Sequence, residues 1–154
     1  MRLTLLAVGK SAASWSEAGV REYAKRLKRQ GGLSETWVKA EPFRGDVDAV
    51  KRAEGERLLK AVRERDLLVA LDERGDAPDT PTFAAMLQEA QLSGASGLVF
   101  AIGGPYGLSD EVRQRAWRTV RLSSLVLNHD LARVVLVEQL YRSFDLLEGG
   151  PYHH

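Results

Sequence analysis

Apolar and polar positions along this chain follow two alternating periods, one suited to strands and one to helices. Leu3-Thr4-Leu5-Leu6-Ala7-Val8-Gly9 is an apolar run that predicts a buried strand over 2–9, ending at Gly9. Residues 16–29 have helical spacing, with Ser14 or Ser16 available as a cap. Residues 33–40 alternate and predict a strand, closed by Pro42. Helical spacing returns over 46–64 through Val47, Val50, Leu58, Leu59 and Val62, with Asp46 and Asp48 where acids suit the helix dipole. A short central strand is predicted over 66–72, a helix over 80–92 with Pro81 near its start, and a strand over 97–102. Ser109 is placed to cap a further helix, residues 119–122 suit a short last strand, and 130–147 a long helix. Gly45 and the 74–81 stretch read as ordinary loops. Such alternation predicts an α/β fold, a mostly parallel sheet flanked by helices on both faces, in a single domain over 1–154.

The last helix departs from the usual one-sided pattern. Leu131, Val134, Val135, Leu136, Val137, Leu140, Tyr141, Phe144, Leu146 and Leu147 surround most of its circumference, which predicts burial on most sides and a subunit interface. Its polar exceptions are Arg133, Glu138, Gln139, Arg142 and Asp145. Glu138 and Arg142 stand four residues apart and can pair. On a surface that pair is ordinary; buried, it is costly unless well bonded, and then points to function.

Composition narrows the classes. Of 154 residues, 44% are hydrophobic, enough for a real core. No apolar run reaches membrane-spanning length and the first residues lack a signal-peptide pattern, so a cytoplasmic protein is expected. Without cysteine there is neither a disulfide nor a thiolate-bound zinc, and with three histidines no metal site is expected. Lys and Arg total 22 against 21 Asp and Glu, which excludes a protein that coats nucleic acid by global charge. Local basic patches remain open: Arg21, Lys25 and Lys28 with Arg26 and Arg29, and Arg113, Arg115, Arg118 and Arg121. Either could equally be a solvated helix face.

Candidate chemistry gathers in the last third. The strand Leu98-Val99-Phe100-Ala101-Ile102 runs into Gly103-Gly104-Pro105-Tyr106-Gly107-Leu108-Ser109. The glycine spacing fits neither a dinucleotide fingerprint nor a P-loop. A tight turn feeding a helix satisfies these residues, and so does a ligand loop at the carboxyl end of a central strand. Leu122-Ser123-Ser124-Leu125-Val126-Leu127 carries no charge or aromatic ring; it suits a core segment, or a pocket wall that reads a ligand through its backbone. His129 follows, and the chain given ends in Pro151-Tyr152-His153-His154.

Taken together, these residues resemble the RlmH family, the pseudouridine N3-methyltransferases of large-subunit ribosomal RNA in the SPOUT superfamily. The resemblance spans essentially the whole chain: Leu3 to Lys10, Val69-Ala70-Leu71-Asp72, Ile102 to Ser109, Leu122-Ser123-Ser124-Leu125, His129, Glu138-Gln139-Leu140-Tyr141-Arg142 and Pro151-Tyr152-His153. It implies a trefoil knot at the carboxyl end of the fold, a homodimer, S-adenosylmethionine as donor, and 23S ribosomal RNA within the ribosome as acceptor. It implies cofactor contacts from Leu71, Gly103, Gly104, Leu122, Ser123, Ser124, Leu125, Val126 and Leu127. Two positions depart from the pattern: Asn128 stands where the family has proline, and His154 where it has Arg or Lys.

Methyl transfer to a ring nitrogen that bears a proton requires positioning and a base. His129 is the first candidate base, because its ordinary pKa lies near working pH, and Glu138 the second. Arg142 suits an anionic uracil or a phosphate, and Tyr152 and His153 suit closure over the base. A knotted methyltransferase acting on transfer RNA and a non-catalytic ribosome-binding module are the competing classes.

Overall fold

A computed structural model describes residues 1–10 and 13–154. In chain order the elements are β1 (Arg2–Val8), α1 (Ser14–Arg26) with a 3₁₀ turn at Leu27–Gln30, β2 (Leu33–Val38), α2 (Val47–Lys60) and β3 (Asp66–Asp76). They continue as α3 (Thr80–Leu92), β4 (Gly97–Ile102), α4 (Asp110–Arg115), β5 (Arg118–Val120) and α5 (His129–Leu147). The strands form one parallel sheet in the order β2-β1-β4-β3-β5, as the alternation of elements predicted.

Period-two burial divides the core between the two faces of the sheet. Leu3, Leu5, Ala7, Val69, Leu98, Phe100 and Ile102 pack under α1, α3 and α5 with Val20, Phe83, Leu136, Val137 and Leu140. Leu6, Val8, Leu68, Ala70, Val99 and Ala101 face the other way and pack with Leu58 of α2 and Val112 of α4. Every residue of β4 is buried, as suits the middle strand of a sheet covered on both faces.

Helix starts mostly follow the capping chemistry in the sequence. Asp46 accepts from the Asp48 and Ala49 amides, Asp79 from Thr82 ahead of a first turn containing Pro81, Ser109 from Val112, and Asn128 from Leu131. The start of α1 differs. Its cap position is Ala13, without a side-chain cap, and neither Ser14 nor Ser16 fills that role. The Ser16 hydroxyl is buried, 3.0 Å from the Ala13 carbonyl and 3.1 Å from Asp130 Oδ1. It joins α1 to α5 instead.

β3 is longer than its sequence suggests. The segment after Asp72 reads as loop because it is polar, yet the strand continues to Asp76. After an irregularity between Leu71 and Asp76, Asp76 pairs with Val120, and its carbonyl accepts from the Arg121 amide at 2.7 Å. A Cβ on Gly75 would lie 2.6 Å from the Thr119 carbonyl carbon, so only glycine lets these backbones meet. Among the described residues no helix is long and apolar enough to cross a membrane, and no His, Cys, Asp and Glu cluster could hold a metal ion.

Candidate functional site

Sheet register brings together the residues expected around a cofactor. Leu71 pairs with Ile102 on one side and Val120 on the other. Gly103 therefore leaves the sheet beside Leu71, and Leu122 follows two residues after its other neighbour. The Gly103–Gly107 loop then closes on itself, the Gly107 amide donating to the Gly104 carbonyl at 2.9 Å. A Cβ at Gly103 would stand 2.7 Å from the Gly107 carbonyl carbon, and one at Gly104 would stand 2.9 Å from Glu54 Oε1. Close approach of backbone thus requires glycine at 103, whereas at 104 a side chain would press on the Glu54 carboxylate. Tyr106, at the exposed tip, meets Phe43 with ring centroids 5.8 Å apart.

Glu54 went unnoticed in the sequence, where an acid inside a helical repeat looks like surface. It is buried behind the glycine loop and accepts the Glu41 amide at 3.1 Å. Its Oε1 has no protein partner among the described residues, and burial pushes its carboxyl above the usual glutamate range. Asp72 shows the opposite shift. Arg74 binds it through Nε and a terminal nitrogen, both at 2.8 Å, and holds its carboxyl below the usual range.

The 122–127 loop follows the end of β5, two residues after Val120, which pairs with Leu71. Ser123 Oγ accepts the Leu125 amide at 2.9 Å, while Leu125 and Val126 leave 75% and 84% of their surface open. Among the described residues, the backbone groups of Val126 and Leu127 make no hydrogen bond. Open leucine and valine side chains next to free amides and carbonyls fit a flat heteroaromatic ligand, with apolar cover for its faces and main-chain partners for its edge. A cleft of about 330 Å³ adjoins Leu122, and Asp79, Thr80, Phe83, Arg121 and Gln139 also line it.

Four of the five candidate catalytic residues lie on or beside the second half of α5. Arg142 donates to Glu138 Oε1 from Nε at 2.9 Å and from a terminal nitrogen at 2.5 Å. The chain after α5 folds back rather than fraying: the Gly150 and Tyr152 amides donate to the Asp145 carbonyl and carboxylate at 2.8 and 2.9 Å. This turn places the Tyr152 ring against Tyr141, centroids 4.8 Å apart, and under the Arg142 guanidinium at 4.6 Å. The Tyr152 hydroxyl donates to Glu138 Oε1 at 3.3 Å and shares a 3.2 Å hydrogen bond with Tyr23. The Tyr23 bond, then burial, then the Glu138 charge push the Tyr152 phenol up to about 12. His153 is partly buried, with Nδ1 shielded and unpartnered among the described residues.

His129 is not part of this group. It is exposed at the start of α5, with Nε2 3.8 Å from Asp130 Oδ2. Nine helical residues separate it from Glu138, roughly 13 Å along the axis and half a turn around it. Arg133, between them, is fully buried. It pairs with Glu35 at 2.5 Å and Asp130 at 3.6 Å, lies 3.4 Å from Ser16 Oγ, and sits 4.5 Å over the Trp37 ring.

A parallel sheet with a glycine loop and an uncharged loop leaving the carboxyl ends of its strands is the arrangement at which α/β sheets commonly bind small molecules. The family described as predicted SPOUT methyltransferase matches residues 1–153, and the chain belongs to it. Over its whole length the chain is similar to proteins named ribosomal RNA large subunit methyltransferase H. It is 43% identical to that of Geobacter sp. (strain M21), covering 99% of the relative, and 43% identical to that of Geotalea daltonii, covering all of it. The corresponding protein of Citrifermentans bemidjiense is 42% identical, with 99% of it covered.

Proposed function

We propose that this protein transfers a methyl group from S-adenosylmethionine to N3 of a pseudouridine in 23S ribosomal RNA, on the assembled ribosome in the cytoplasm. The observation that carries the reading is the full-length match to ribosomal RNA methyltransferases. The convergence of Leu71, Gly103 and the 122–127 loop at one sheet edge supports it. When bound, the cofactor supplies an electrophilic methyl on a sulfonium. Leu71, Gly103, Gly104 and the residues from Leu122 to Leu127 would hold it, in the part of the chain where the family carries its trefoil knot.

The remaining work falls to side chains. N3 of the base gains a methyl and loses a proton, and His129 takes that proton. Glu138 is poorly suited to do so, because its two oxygens already accept from Arg142, Tyr152 and Gln139. Its part is to fix Arg142 and Tyr152, so that the guanidinium meets the anionic uracil edge and Tyr152 and His153 close over the ring. A homodimer, which the family resemblance implies, would let His129 of one copy meet Arg142 of the other, since the two lie far apart within one chain. The open apolar side chains Leu125, Val126 and Leu131, near His129, fit such an interface.

Methyl transfer from labelled cofactor to large ribosomal subunits, followed by mapping of the modified nucleotide, tests the reading. Labelling at one pseudouridine N3 is expected, with weaker transfer to naked RNA. Transfer to transfer RNA alone, or calorimetry showing NAD or ATP bound in preference to S-adenosylmethionine, would overturn it. Sedimentation checks the dimer, and His129→Ala checks the base: full transfer rate with unchanged cofactor affinity would remove that assignment.

A further inference from the structure

Glu138 is bonded on both oxygens, and one of those bonds leads out of the cluster. Gln139 Nε2 donates to Glu138 Oε2 at 2.7 Å, and Gln139 Oε1 accepts from the Thr80 hydroxyl at 2.8 Å. The polarity of this chain is forced. An ionised carboxylate only accepts, so the Gln139 amide must turn its NH₂ toward Glu138. Its oxygen then faces Thr80, whose hydroxyl has to donate. Thr80 and Gln139 both line the cleft that Leu122 borders, and Thr80 is the first residue of α3, next to Asp79 and Pro81. A continuous line of hydrogen bonds therefore runs from the wall of the cleft to Glu138, and from there to Arg142 and Tyr152.

We infer that Gln139 and Thr80 are positioning residues, joining the cleft beside Leu122 to the Arg142–Tyr152 cluster through Glu138. The inference rests on the proposed methyl transfer and adds to it the groups that orient its acceptor side. With Gln139 in place the Glu138 carboxylate cannot rotate, and Oε1, which accepts both N–H bonds from Arg142, keeps one position. Without it, Oε2 loses its neutral donor and the carboxylate turns to find water. Arg142 and Tyr152 turn with it, while the backbone groups that face the cofactor stay where they are.

The test uses the full chain with Thr80→Val, Gln139→Met and the double variant, large ribosomal subunits as acceptor, and calorimetry with S-adenosylmethionine. Each single variant is expected to lower kcat on the order of tenfold and to leave cofactor affinity within about twofold. The double variant should do no worse than Gln139→Met alone, because both changes cut the same line. Independently of activity, water exchange of the Arg142 Nε–H, followed by NMR, should quicken severalfold in both single variants. Unchanged kcat with unchanged exchange would overturn the inference, as would losses that multiply in the double variant. If the wild type methylates no ribosomal RNA, the proposed function fails, and the Nε–H exchange still decides whether the link exists.

Discussion

α5 carries two arginines nine residues apart, and they have opposite fates. Arg133 has no exposed surface; it is enclosed by Glu35, Asp130, Ser16 and the Trp37 ring. Arg142 keeps about a quarter of its side chain open, bonded to Glu138 and stacked on Tyr152. Half a turn of helix separates their directions. One points between α1 and β2 and ties the fold together. The other points to where the tail turns back and stays partly open to solvent. The difference is that between a charge closed off from solvent on every side and a charge that stays partly open.

Replacing each arginine breaks this comparison in a different way. Arg133→Ala should destabilise the fold by about 2–5 kcal/mol, because it empties the space of a fully buried side chain packed against the Trp37 ring. Urea unfolding measures it, and a loss below about 1 kcal/mol would show that the cluster contributes little. Arg142→Ala should cost under about 1 kcal/mol of stability, as expected of a partly open pair. On the proposed mechanism it should still lower methyl transfer about a hundredfold or more, by removing the charge proposed to meet the reacting ring. Comparable losses of stability in the two variants would erase the distinction drawn here.

The smallest expected effect sharpens the second half of the comparison. The Tyr152 phenol is held at about 12, so the fold favours its neutral form. A raised phenol pKa contributes stability below the ordinary value of about 10, and that contribution disappears as pH climbs through about 12. Ultraviolet titration of the folded protein should show one late-ionising tyrosine. Tyr23→Phe should bring it down toward the ordinary value, with a small fall in melting temperature at neutral pH, where that contribution is fully present. An unmoved titration would show that Tyr23 does not hold the tail.

The strands and helices were legible because apolar periodicity is a local property, and β1, β4 and α5 announce themselves within a few residues. Asp72 to Asp76 was not legible: the polar end of β3 is a strand only because Gly75 allows Thr119 to approach. Ser16 looked like a cap and is a tie between helices, since its partner, Asp130, is distant in sequence. The candidate site divides along the same line. Glycine loops and the Glu138–Arg142 spacing are readable by eye. The burial of Glu54 and Arg133, and the separation of His129 from Arg142 along the helix, come from packing that no short window contains.

The sheet order also governs how the chain can fold. Its middle strand, β4, is fourth in sequence, lying between β1 and β3 and bonded to both. Until Gly97–Ile102 is in place, β1 with β2 and β3 with its helices are separate pieces with no shared ladder. Closing the sheet requires a loop across most of the chain, so folding is expected to be limited by one late long-range event. The glycine loop begins one residue after that strand ends. Completing the sheet and positioning the loop are therefore a single kinetic step, and a chain arrested before it would expose two unpaired strand edges where its centre should be.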